Sequence, residues 1–77
     1  MTTYEVVQIR RGRWVVVDVD EDAGQVRVDL AGMGDVRQAY RGGLSDAAIR
    51  AVALHPAAVS YRTRRAAHEA IDDATGY

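Results

Sequence analysis

Six of this chain's ten basic side chains stand in two tight groups, and all ten are arginine. Arg10, Arg11 and Arg13 surround Gly12, and Arg62, Arg64 and Arg65 crowd a short stretch near the other end. A guanidinium keeps its charge at any physiological pH and presents a planar fork of N–H donors that matches a phosphate or a carboxylate. The chemistry these residues offer is therefore anion recognition. GC-rich coding accounts for arginine in place of lysine throughout, but not for where the arginines sit.

Other groupings are weaker. Asp18, Asp20 and Asp22 have the alternate spacing of the first ligands of a calcium loop, and Asp29 falls at the twelfth place. Gly24 comes one residue late for such a loop, the last ligand is normally a bidentate glutamate, and the flanks read as strands. A polar hairpin turn is the better reading. His55 and His68 have no third ligand near them in sequence, and there is no cysteine, so no metal or disulfide is expected. His55 suits a turn or cap, and His68 an exposed helix face. Gly32-Met33-Gly34 lacks the third glycine and the strand–turn–helix setting of a phosphate cradle. Ser45 and Ser60 have no nucleophile-elbow context, and Tyr4, Tyr40, Tyr61 and Tyr77 are scattered. No catalytic constellation stands out, so the chain is not expected to be an enzyme, to carry a cofactor or to turn over a small-molecule substrate.

The elements that must position the arginines follow from periodicity. Residues 4–10, 13–20 and 25–30 alternate apolar and polar side chains and are rich in β-branched valine, which predicts three strands. Arg11-Gly12 and Glu21–Gly24 supply the turns, and short turns make neighbouring strands antiparallel. Residues 31–43 hold four glycines and form a connection, within which residues 35–41 read as a fourth short strand or a single helical turn. The period then changes. Ser45 is a good N-cap, Asp46 suits the positive end of a helix, and Ala48, Ile49, Val52 and Ala53 make a helical stripe. Pro56 stops that helix and suits the first turn of another, predicted over 56–74 with Gly76 near its C-cap. The expected fold is α+β: a three-stranded antiparallel β-meander, with a fourth strand open, and two C-terminal α-helices packed on the sheet.

Within the helical half, residues 49–65 resemble a helix-turn-helix segment of DNA-binding regulators. The resemblance rests on Ala53-Leu54-His55-Pro56-Ala57-Ala58-Val59-Ser60, with Val52 at the buried position of the first helix. The chain departs from that pattern at Ala53, where glycine is usual, at Ile49, where a small residue is expected, and at Arg62, where an apolar one is. The resemblance implies a recognition helix opening at residues 57–65, with Ser60, Tyr61, Arg64 and Arg65 turned outward and Arg62 beside them. Arg10, Arg11 and Arg13 on the first hairpin would then be a wing contacting the DNA backbone or minor groove. The plainer alternatives stay open. Arg65 and Glu69 can form an i, i+4 pair on a solvated helix face, and hairpin arginines guard a sheet edge against aggregation.

Length and composition set the frame. A chain of 77 residues fits one domain, and one this short buries only about 60% of its unfolded surface. Alanine supplies much of the hydrophobic content, so the core is expected to be small, with Trp14 its largest candidate member. A partner chain would add support. The balance is +2 over residues 44–71 (Arg50, Arg62, Arg64 and Arg65 against Asp46 and Glu69) within a formal net charge of −1. This describes a local basic patch rather than a basic protein. No export signal and no membrane-spanning apolar run are present, which points to the cytoplasm. Two partners remain in view: double-stranded DNA, and a protein partner or second copy, with the chain then acting as a small inhibitor, adaptor or homodimer.

Overall fold

The computed structural model describes residues 2–31, 34–39 and 44–76. Four strands run in order across one sheet: β1 (Thr2–Arg10), β2 (Arg13–Asp20), β3 (Gln25–Leu30) and β4 (Gly34–Ala39). Each pairs antiparallel with the next. The meander expected from residues 4–30 is present, and the open segment after it forms a fourth strand. Gly32, Met33 and residues 40–43 of the glycine-rich connection, including the first two positions of Gly32-Met33-Gly34, lie outside the described residues. Among the described residues no helix is long and apolar enough to cross a membrane.

The core forms on one face of the sheet. Val15, Val17 and Val19 of β2 alternate inward, and Val26, Val28 and Leu30 of β3 lie beside them, all but sealed from solvent. Helix α1 (Asp46–Ala53) covers them with Ile49, Val52 and Ala53. Its start is set by Ser45, whose hydroxyl accepts the Ala48 N–H at 3.2 Å. Trp14 is not a core residue. It precedes Val15, so the strand's two-residue period turns it to the other face, where it is half-buried. Among the described residues the core is entirely aliphatic.

The second helix departs from expectation. Residues 56–63 are not helical; α2 runs Arg64–Thr75. Between the helices the chain turns at His55–Ala57, where the His55 Nδ1 accepts the Ala57 N–H at 3.1 Å. It then enters the sheet. The Ala31 N–H donates to the Ala57 carbonyl at 2.6 Å, the Val59 N–H donates to the Asp29 carbonyl at 2.7 Å, and Leu30 bridges Ala58. Ser60–Tyr61 forms a short strand, β5, pairing Ser60 with Val15 and Tyr61 with Trp14. β3 pairs with β2 only from Val17 to Asp20, so β5 occupies the stretch of the same edge that β3 leaves open. The physical reason is hydrogen-bond satisfaction. The backbone of 57–61 finds partners in a sheet that would otherwise bury unpaired groups, and Val59 and Tyr61 favour extended chain. A helix resumes only where Thr63 caps it, accepting the Ala66 N–H at 3.1 Å.

The helices consequently do not form a hairpin on one side. α1 covers the Val15–Val17–Val19 face. Ala70, Ile71 and Ala74 of α2 stand over Val16 and Asp18, which alternate to the other face. The sheet is sandwiched between two helices.

Candidate anion-binding surface

The hairpin joining β1 and β2 turns at Arg11 and Gly12. Gly12 has φ +77°, a conformation that a side chain would strain. The register shifts between Gln8 and Arg10, so Arg10 stands across from Arg13. On the other edge of β2, Trp14 pairs with Tyr61. One step further out, Arg13 precedes Trp14 and Arg62 follows Tyr61, so both lie at the same end of the β2–β5 pair. Arg10 and Arg13 thus face each other at one end of the sheet, and Arg62 leaves β5 at that same end. Arg64 and Arg65 open α2 immediately beyond.

A further arginine reaches this end from α1. Arg50 donates from Nη1 to the Gln8 carbonyl at 2.7 Å and from Nη2 to the Ile9 carbonyl at 3.3 Å, tying the last turn of α1 to β1 just before Arg10. Sequence reasoning missed Arg50. Its position in the last turn of the predicted α1 was the available signal, since a cation there favours the helix's negative end.

Most of these charges are uncommitted. Among the described residues, Arg10, Arg11, Arg13 and Arg62 hold no carboxylate, and the Nε of half-buried Arg13 has no hydrogen-bond partner. The Arg64 Nε donates to His68 Nε2 at 3.4 Å. Arg65 stands 3.4 Å from Glu69 with both side chains largely exposed, a pair that contributes little. No acidic residue occupies the first turn of α2. The partial positive charge of its free N–H groups therefore adds to the arginines.

No family model, curated protein or solved structure matches the chain. Of the residues nominated from sequence, Arg10, Arg11, Arg13, Arg62, Arg64 and Arg65 come together at this end. Ser60 and Tyr61 do not lie on a recognition helix: both spend their backbone on pairing with β2, Ser60 is exposed, and the half-buried Tyr61 side chain lines a cavity under α2. The helix-turn-helix resemblance fails at Pro56–Thr63, where the recognition helix would begin.

The opposite end carries the opposite charge. β2 runs from Arg13 to Asp20, a span of roughly 23 Å at the usual strand rise, and the turn beyond it holds Glu21 and Asp22. Asp18 and Asp20 stand 3.8 and 3.7 Å from Arg27 of β3. Asp18 and Asp20 of the acidic run thus face an arginine, and no group of three potential metal ligands occurs among the described residues. Among the described turns, arginine stands at the β1–β2 turn and acid at the β2–β3 turn.

Proposed function

We propose that this protein is a non-enzymatic regulatory binder of double-stranded DNA, acting in the cytoplasm. It would meet the phosphate backbone with the arginine-rich end made by the β1–β2 hairpin, β5 and the start of α2. The observation that carries the reading is the pairing of β5 with β2, which leads Arg62 out at the Arg13 end of β2 and so supports a surface shared by two clusters far apart in sequence. Arginine forks suit phosphate oxygens, and the open first turn of α2 is a favourable place for an anion. The acidic turn at the other end is repelled by DNA and so orients the encounter. Contacts of this kind are made to the backbone and carry little base readout.

Titration of a labelled duplex at about 50 and about 200 mM salt tests the reading, because each phosphate contact steepens the salt dependence. The exposed arginines Arg11, Arg62 and Arg64, all replaced by alanine, should weaken binding at least about tenfold and lower the salt slope by about three. Equal affinity in the triple variant, or affinity independent of salt, removes the proposal.

A second reading is favoured by the sheet order. β1 lies at an edge and pairs only with β2 among the described strands. A protein partner or a second copy adding a strand there would use the free edge for affinity. Sedimentation separates the two: a tight dimer that persists at high salt and excludes the duplex favours this second reading.

A further inference from the structure

The face of the sheet under α2 holds a cavity of about 310 Å³, at the small end of the range for ligand sites. Its floor is a row of side chains set by register: Tyr4 pairs with Asp18, and Asp18 with Arg27. Asp29, two residues beyond Arg27, lies on the same face. Tyr61 stands at one side, and Ala70, Ile71 and Ala74 of α2 form the roof. Nothing assigned above uses this space.

We propose that the cavity binds a small amphiphilic amine: an ammonium group on a short hydrocarbon or aromatic body. Four observations point to this chemistry. First, the lining carries two carboxylates, Asp18 and Asp29, against one guanidinium. Arg27 already faces Asp18 and Asp20, whereas Asp29 holds no ion pair among the described residues. Second, the Asp18 Oδ1 is shut from water with no hydrogen-bond partner, as is the Nε of Arg27 paired with it. An orphaned acceptor of this kind is costly, and an N–H donor removes the cost. The broad χ2 well of aspartate lets the carboxylate turn that oxygen toward the cavity. Third, the rings of Tyr4 and Tyr61 offer π faces that attract a cation. Fourth, alanine at positions 70 and 74, one helical turn apart, leaves apolar room beside Ile71 and Val16 for a hydrocarbon body. A carboxylate ligand would meet Asp18 and Asp29, and an uncharged one would leave Asp29 unanswered. This inference does not depend on DNA binding, which uses the arginine end.

The full chain, isotope-labelled and followed by NMR, is titrated with phenethylamine, and separately with phenethyl alcohol and hydrocinnamate as size-matched neutral and anionic controls. The amine should give saturable shifts centred on Ala70, Ile71 and Ala74, with the alcohol at least about tenfold weaker and the acid inactive. Asp29→Asn, at an exposed position that leaves the fold intact, should weaken the amine about tenfold. Ala74→Leu, which fills the cavity from the roof, should abolish the shifts while the melting temperature holds or rises. The proposal is overturned if the amine gives no saturable shift or binds no better than the alcohol. It is equally overturned if the amine binds the folded Ala74→Leu protein as it does the parent.

Discussion

α1 and α2 are each opened by a hydroxyl cap and lie on opposite faces of one sheet, yet they are held by different means. α1 buries Ala48, Ile49, Val52 and Ala53, half of its eight residues, against a continuous valine surface. Of the twelve residues in α2 only Ala67 is buried, and its second half roofs a cavity. Their charges differ in the same sense. α1 has Asp46 in its first turn and Arg50 in its last, as the helix dipole prefers. α2 begins with Arg64 and Arg65 and carries Asp72 and Asp73 near its end, the reverse order. Every local choice in α1 serves the fold. α2 keeps charges that oppose its own stability.

The largest effect should come from unequal truncations of the same residue type. Ile49→Ala empties a packed site under α1 and should cost about 3 kcal/mol, a large share of the stability of so small a domain. Ile71→Ala removes a half-buried side chain already beside open space and should cost about 1 kcal/mol. Urea unfolding of the two variants measures both. Similar losses would mean that α2 is as integral as α1 and would break the contrast.

The caps test the same difference at smaller scale. Ser45→Ala and Thr63→Ala each remove one hydroxyl-to-amide bond, worth about 1 kcal/mol to its helix. The losses should spread differently. α1 is tied to the core, so Ser45→Ala should speed hydrogen exchange at the β2 amides along with its own. Thr63→Ala should speed exchange in α2 alone, as local opening of a weakly docked element. Faster exchange in β2 from the Thr63 variant would show that α2 opens with the whole molecule.

The sequence made some of this legible and hid the rest for physical reasons. The meander and α1 were readable because valine alternation and the Ser45–Asp46 cap are local signals. The stretch from Pro56 to Thr63 was not. Proline followed by two alanines is a good helix start, and the outcome was decided instead by bonds to Asp29 and Ala31, 26 to 30 residues back in the chain. Thr63 itself is a good cap residue, but it fell inside the helix predicted over 56–74. Trp14 was the largest candidate for the core by size, although its place next to Val15 already assigned it to the other face. The arginine clusters were legible as residues but not as neighbours, since their meeting depends on a two-residue strand no pattern marks. The cavity was illegible for the same reason: Tyr4, Asp18 and Arg27 form a row only once register is known.

The smallest expected effect is the sharpest, because its sign differs between the helices. Reversing the first-turn charge in α1, Asp46→Arg, puts a cation at the positive end of the dipole and should destabilise by about 0.5 kcal/mol. The matching reversal in α2, Arg64→Glu, gives that helix the acid it lacks and should stabilise by about the same amount. It gives up only the exposed 3.4 Å bond to His68. If the arginine end contacts phosphate, the same Arg64→Glu variant should bind DNA less well while melting at a higher temperature. Stability and binding would then move in opposite directions at one residue, which neither a purely structural arginine nor an indifferent surface one would produce. A structural role for Arg64 would lower the melting temperature. An indifferent position would gain stability through the dipole and leave DNA affinity alone, so thermal melts and duplex titrations on this single variant separate the three.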